Sequence, residues 1–141
     1  MSLNEVKAAW MDGEVVPSWK ANVNDGGIFE EIRCYETARG PAVFRLHEHI
    51  DHLFESAGVA GIEIPFKRHE LAAAVCQTIE ANKLSSCHVR LTVFSDSSTV
   101  HAAVIAVACL TPDDSPEIVR DRLHFVDDCT FQGAYSAVPC I

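Results

Sequence analysis

Two long apolar runs, "CHVRLTVFS" (87–95) and "TVHAAVIAVACL" (99–110), constrain this chain more than any other feature. Both are rich in β-branched residues, and only the polar "SDSS" (95–98) divides them. The composition is that of strands, and the short divider requires an antiparallel return. The sequence therefore predicts a central antiparallel pair that needs cover on at least one face. The second run is too short to span a bilayer.

The flanking segments supply more strands and the cover. "AAWMDGEVVP" predicts a hairpin turning at Asp12-Gly13. "IFEEIRCYET", the turn "ARGP" and "AVFRL" predict a second hairpin. Alternation along its first arm puts Ile28, Glu30, Ile32 and Cys34 on one face and Phe29, Glu31, Arg33 and Tyr35 on the other. Polar groups on both faces are unusual for a purely structural strand. Leu46, Ile50, Leu53, Phe54 and Ala57 then recur at helical spacing, with Gly58 and Gly61 predicted to end the helix. "HELAAAVCQTIEANK" predicts a second helix with Leu71, Val75, Thr78 and Ile79 inward and Asn82 at its end. "EIVRDRLHFV" reads as one more strand, and "DDCTFQGAYSAVPCI" as an extended linker. The order strands, two helices, strands defines an α+β fold: an antiparallel sheet with two helices packed on one side.

Charge narrows the partners. Twenty acids against 11 bases give a net charge of −9, with no run of Lys or Arg. This argues against nucleic acid and anionic membranes. No basic segment followed by an apolar core opens the chain, so no signal peptide is expected. The six cysteines form no C-x-x-C pair, and several lie in apolar stretches. Free thiols in a reducing cytoplasm are expected.

"RLHEHIDHLFES" (45–56) spells H-x-H-x-D-H, the signature of a dinuclear zinc hydrolase. On a helix, however, His47 and His49 project about 200° apart, and the apolar residues threaded between them fit the helical stripe. The expectation is a helix with solvent-facing histidines, Glu48 within reach of His52, and no metal.

The block "GGIFEEIRCYETARGPAVFRLHEHIDHLFESAGVAGIEIP" resembles the N-terminal domain of fold-type-IV, pyridoxal-phosphate-dependent aminotransferases, above all the branched-chain amino acid group. "HELAAAVCQTIEANKLSSCHVRLTVF" and "WMDGEVVPSWKANVN" extend the resemblance to about Leu110. "VRLTVFS" is similar to the D-amino-acid aminotransferase and aminodeoxychorismate lyase branches; the longer block favours the branched-chain group. The resemblance implies transfer of an amino group between an amino acid and a 2-oxo acid, in a cytoplasmic homodimer. It implies Arg33 at the cofactor phosphate, and His88, Arg90 and Phe29 on the substrate side. Read without it, Arg33 is a strand arginine paired with Glu31 or Glu36, His88 a core-edge histidine and Phe29 a core phenylalanine. Arg90, inside an apolar strand, calls for a partner if buried.

The chain departs from the family pattern in four places. Glu31 stands where the family has glycine. The H-x-L-x-Y-G turn before the strand is missing, and the glycine-rich stretch after "RLTVF" is cut to "SDSS". None of Lys7, Lys20, Lys67 or Lys83 matches the lysine that bonds to the cofactor. The resemblance puts that lysine after a segment like "AVPCI". No catalytic residue is therefore assigned within residues 1–141. Residues 1–125 are expected to form the N-terminal domain and 126–141 a linker to a second one. The rival readings are a non-catalytic binding or dimerising module and, more remotely, a metal hydrolase.

Overall fold

A computed structural model describes residues 7–21, 27–108 and 123–126. The chain runs β1 (Ala8–Met11), β2 (Glu14–Pro17), a 3-10 turn (Ser18–Lys20), β3 (Ile28–Thr37), β4 (Gly40–Phe44), α1 (Leu46–Ala60), α2 (Arg68–Ala81), β5 (Cys87–Asp96), β6 (Thr99–Ala108) and β7 (Leu123–Phe125). The strands form one seven-stranded sheet in the order β2-β1-β6-β5-β3-β4-β7. Every pairing is antiparallel. This is the α+β architecture that the hydrophobic periods predict.

β5 and β6 are the central pair, in register from Cys87 opposite Ala108 to Asp96 opposite Thr99. The Asp12-Gly13 turn forms with both residues at positive φ. Asp12 accepts the Ala102 N–H on its carboxylate and returns its own N–H to the Ala102 carbonyl. The loop that was expected only to reverse the chain thus also ties the hairpin to β6.

The core lies between one sheet face and the helices. Ile32 and Cys34 from β3, Val89, Leu91 and Val93 from β5, and Ala102, Val104 and Ala106 from β6 meet Leu46, Ile50 and Leu53 of α1 and Leu71, Val75 and Ile79 of α2. Burying such side chains stabilises by roughly 1.5–3 kcal/mol each. α1 passes through Gly58 and stops at Gly61, whose φ of 76° is the left-handed geometry that glycine adopts freely at a helix end. Phe54 is only partly buried, with the Arg68 guanidinium 4.3 Å from its ring. Arg68 Nε also donates to Asp51 Oδ1 at 2.9 Å, bridging the helices.

Asn82, read from sequence as a stop, does more. Its Oδ1 accepts the N–H groups of Lys7 and Ala8, and its Nδ2 donates to the carbonyls of Ala8 and Thr78. One amide therefore satisfies backbone groups at the end of α2 and at the start of β1. Cys34, Cys76 and Cys87 are buried free thiols, as their apolar settings predict. The predicted strand at 117–126 is described only at 123–126, where β7 pairs with β4. Cys109, Cys129, Cys140 and nearly all of the predicted linker lie outside the described residues.

Candidate functional site

Strand parity and register together assemble the four residues singled out in the sequence. Phe29, Glu31, Arg33 and Tyr35 project from β3 away from the helices, opposite in direction to buried Ile32 and Cys34. On β5, Arg33 lies opposite His88 and Glu31 opposite Arg90, with Thr92 opposite Phe29. Phe29, Arg33, His88 and Arg90 therefore share one patch on the sheet face turned away from α1 and α2.

Two of the simpler expectations fail here. Phe29 is not a core residue; it is 46% exposed. Arg90 is not buried either, since its side chain is 47% exposed. Its guanidinium carbon lies 4.1 Å from the centre of the Phe29 ring. Its Nε and Nη2 both donate to Glu31 Oε2, at 2.8 and 2.7 Å. Glu31 is thus paired with Arg90 across the strands. The cation lies over an aromatic ring and is also paired with a carboxylate, and both contacts restrict its orientation.

A second polar cluster lies on the helix side. Glu30 turns towards α1, and its side chain is 11% exposed. His49 Nδ1 lies 2.7 Å from Glu30 Oε1, and His52 Nδ1 lies 2.5 Å from Glu30 Oε2. The expectation of solvent-facing histidines fails for His49, and His52 finds Glu30 in place of Glu48. His47 packs its ring edge-on against His124 of β7, centroids 4.9 Å apart. The missed signal was Glu30 itself, a carboxylate on the strand face otherwise given to Ile28, Ile32 and Cys34. Such a group needs a partner from the covering helix, and His49 and His52 sit one turn apart to supply it. Among the described residues, no three His, Cys, Asp or Glu side chains are placed to share a metal ion.

Glu30 raises the pKa of His52, first through the hydrogen bond and then through its charge, with Glu55 adding to the effect. The folded state therefore holds the His52 proton more tightly than the unfolded chain does. The stabilisation is complete below the unfolded value of about 6.5 and is lost as pH rises through the higher folded value. The melting temperature of the wild type should fall as pH is raised through that window, and His52→Gln should flatten the fall. Thermal unfolding at a series of pH values checks this, and equal slopes in the two proteins would refute it.

The hydrogen bond with Cys87, and then burial, raise the pKa of Cys34. The Cys34 thiol donates to the Ser85 carbonyl at 3.3 Å. A protonated, enclosed thiol is a poor nucleophile, so Cys34 belongs to the core.

The sheet thus carries two helices on one face and a patch of arginine, histidine and phenylalanine on the other. Residues 27–131 match the family model for amino-transferase class IV, and the chain belongs to that family. The branched-chain-amino-acid aminotransferase of Pseudomonas aeruginosa is 36% identical over 96 residues, covering 62% of this chain and 31% of that protein. Its counterpart in Escherichia coli is 31% identical over 102 residues, covering 67% of this chain and 33% of that protein. The solved branched-chain aminotransferase of the thermophilic archaeon Thermoproteus uzoniensis, with norvaline, superposes with a TM-score of 0.66 at 28% identity. That match covers 72% of this chain and 40% of the solved one. The chain spans about a third of the length of the curated relatives it matches.

Proposed function

We propose that this chain forms the sheet domain of an aminotransferase that moves an amino group between a branched-chain amino acid and a 2-oxo acid, using pyridoxal phosphate. The observation that carries the reading is the convergence of Arg33, His88, Arg90 and Phe29 on one sheet face. The residues present suit one end of the cofactor. Arg33 offers a planar cation to the phosphate. No lysine accompanies it on this face: Lys7 precedes β1, Lys20 ends the turn after β2, Lys67 precedes α2 and Lys83 follows it. No covalent step is therefore derived from these residues.

When bound, pyridoxal phosphate supplies an electron sink for the amino acid's Cα. In this reading Arg33 holds the phosphate, and His88 and Arg90 orient the substrate. Phe29 provides an apolar wall that excludes water and suits an aliphatic side chain. We further propose that the protein works as a homodimer in the cytoplasm, in keeping with the buried free thiols. Among the described residues, no helix is long and apolar enough to cross a membrane.

The test is cofactor retention. The protein purified from its natural source should show a visible absorbance band that borohydride bleaches. Complete absence of that band would overturn the enzyme reading. On this chain, Arg33→Gln should weaken pyridoxal phosphate binding about tenfold, the effect of losing a charge-assisted pair to phosphate. Fluorescence titration measures it. The second reading, a binding or dimerising module with no covalent cofactor, is favoured by the lysine-free face, and the same absorbance measurement separates the two.

A further inference from the structure

The seven strands are not joined equally. β5 pairs with β6 from Cys87 opposite Ala108 to Asp96 opposite Thr99, and with β3 from Cys87 opposite Cys34 to Val93 opposite Ile28. β1 meets β6 at two positions only, Trp10 opposite Val104 and Met11 opposite Ala103. Its first residue turns to α2 instead: the N–H and the carbonyl of Ala8 both bond to the Asn82 side chain. The β1–β2 ribbon is paired along its own length, from Ala8 opposite Pro17 to Met11 opposite Glu14, and lies at the end of the sheet. It can therefore keep its own hydrogen bonds without β6.

The turn end of the ribbon is fastened by a side chain. The Asp12 N–H donates to the Ala102 carbonyl. Asp12 Oδ1 accepts the Ala102 N–H at 2.9 Å, as a backbone carbonyl would, and so continues the ladder past Met11. Asp12 Oδ2 lies 2.7 Å from His101 Nδ1, and the His101 ring packs against Phe94, centroids 5.3 Å apart. Trp10, buried and edge-on to Phe66, is the ribbon's apolar anchor.

We propose that the β1–β2 ribbon is a flap that opens as one unit, pivoting on Asn82 and latched by Asp12 on His101 and Ala102. Opening breaks the Asp12 bonds and the two ladder positions and lifts Trp10 from Phe66. It uncovers the edge of β6 around Ala102–Val104. The pairings of β3, β5 and β6 and the packing of α1 on β3 remain, so the flap opens at a lower free energy than the whole domain unfolds.

The test is amide hydrogen exchange of the 141-residue chain, followed separately in β1–β2 and in β5. In the wild type the ribbon amides should be less protected than those of β5, by about tenfold or more. Asp12→Gly accepts the positive φ of the turn and removes the carboxylate. It should speed ribbon exchange about tenfold, the effect of losing hydrogen bonds to a charged group. Asp12→Asn keeps an acceptor for Ala102 and should give a smaller rise, about threefold. Leu53→Ala, in α1, is the converse variant. It should speed exchange in β5 about a hundredfold, while the ribbon, which opens without disturbing α1, changes by less than about threefold. Should Leu53→Ala fail to fold, Ile50→Val makes the same comparison with a rise of about fivefold in β5. Ribbon amides as protected as those of β5 in the wild type would overturn the proposal, since the ribbon would then leave only when the domain unfolds. Ribbon exchange that follows β5 in the α1 variant, or stays unchanged in Asp12→Gly, would also overturn it.

Discussion

Gly27→Ala should destabilise the protein by about 3 kcal/mol, the upper part of the range for forcing an atom into a packed site. An added Cβ would stand 2.4 Å from the Val93 carbonyl oxygen and 2.8 Å from Phe94 Cβ. A backbone carbonyl in a central strand cannot rotate aside as a flexible side chain can. The start of β3 must therefore separate from β5, carrying Phe29 and Glu31 with it. Gly27 is not among the residues at positive φ, so the cost comes from contact and not from backbone conformation. Gly58→Ala is the matched control: its Cβ would meet nothing within 4 Å, and alanine is favoured over glycine inside a helix. It should stabilise the protein by about 0.5 kcal/mol or more. Urea unfolding of the two variants should move the midpoint in opposite directions. A Gly27→Ala protein as stable as the wild type would show that β3 and β5 are not so closely apposed.

Leu53→Ala should cost a similar amount, about 3 kcal/mol, through lost burial and the cavity left behind. Leu53 is fully buried where α1 meets the sheet. It lies on the same helix as His49 and His52, so loosening it also draws those imidazoles away from Glu30. The Leu53→Ala variant should therefore lose part of the pH dependence assigned to His52 as well as stability. Val59→Ala, on the same helix but 92% exposed, should change neither beyond about 0.5 kcal/mol. Thermal unfolding at two pH values measures both effects, and an unchanged melting temperature in Leu53→Ala would contradict the packing.

The two hydrophobic periods carried most of the fold. Alternation along 28–35 assigned each side chain to its observed face, and the 3.6-residue stripe from Leu46 found the buried residues of α1. Period-based reading failed where a residue's environment depends on distant strands. Phe29 looked like core because phenylalanine usually is, yet it faces away from the helices and meets an arginine 61 residues further along the chain. Arg90 looked enclosed because its neighbours in sequence are apolar, although only every second one shares its face. The four candidate site residues were found by family resemblance and brought together by register, which a single strand does not reveal. The Glu30–His49–His52 cluster was hidden for the same reason. Both of its halves were noticed, a carboxylate on an apolar strand face and histidines on a helix, but no local pattern joins residue 30 to residues 49 and 52.

The strand order also bears on how the chain is made. β5 and β6 occupy the middle of the sheet, yet they are synthesised after both hairpins and both helices. β1 must wait for β6, with Trp10 pairing with Val104, and β3 must wait for β5, with Cys34 pairing with Cys87. While the residues before Cys87 are emerging from the ribosome, each hairpin is an isolated two-strand ribbon, which is marginal in water. The apolar faces of α1 and α2 have no floor to pack on. Closing such distant pairings is slow, and the waiting strands have exposed edges. The nascent chain is therefore most prone to misassociation just before Cys87 appears, and the arrival of 87–108 joins the two hairpins in one step.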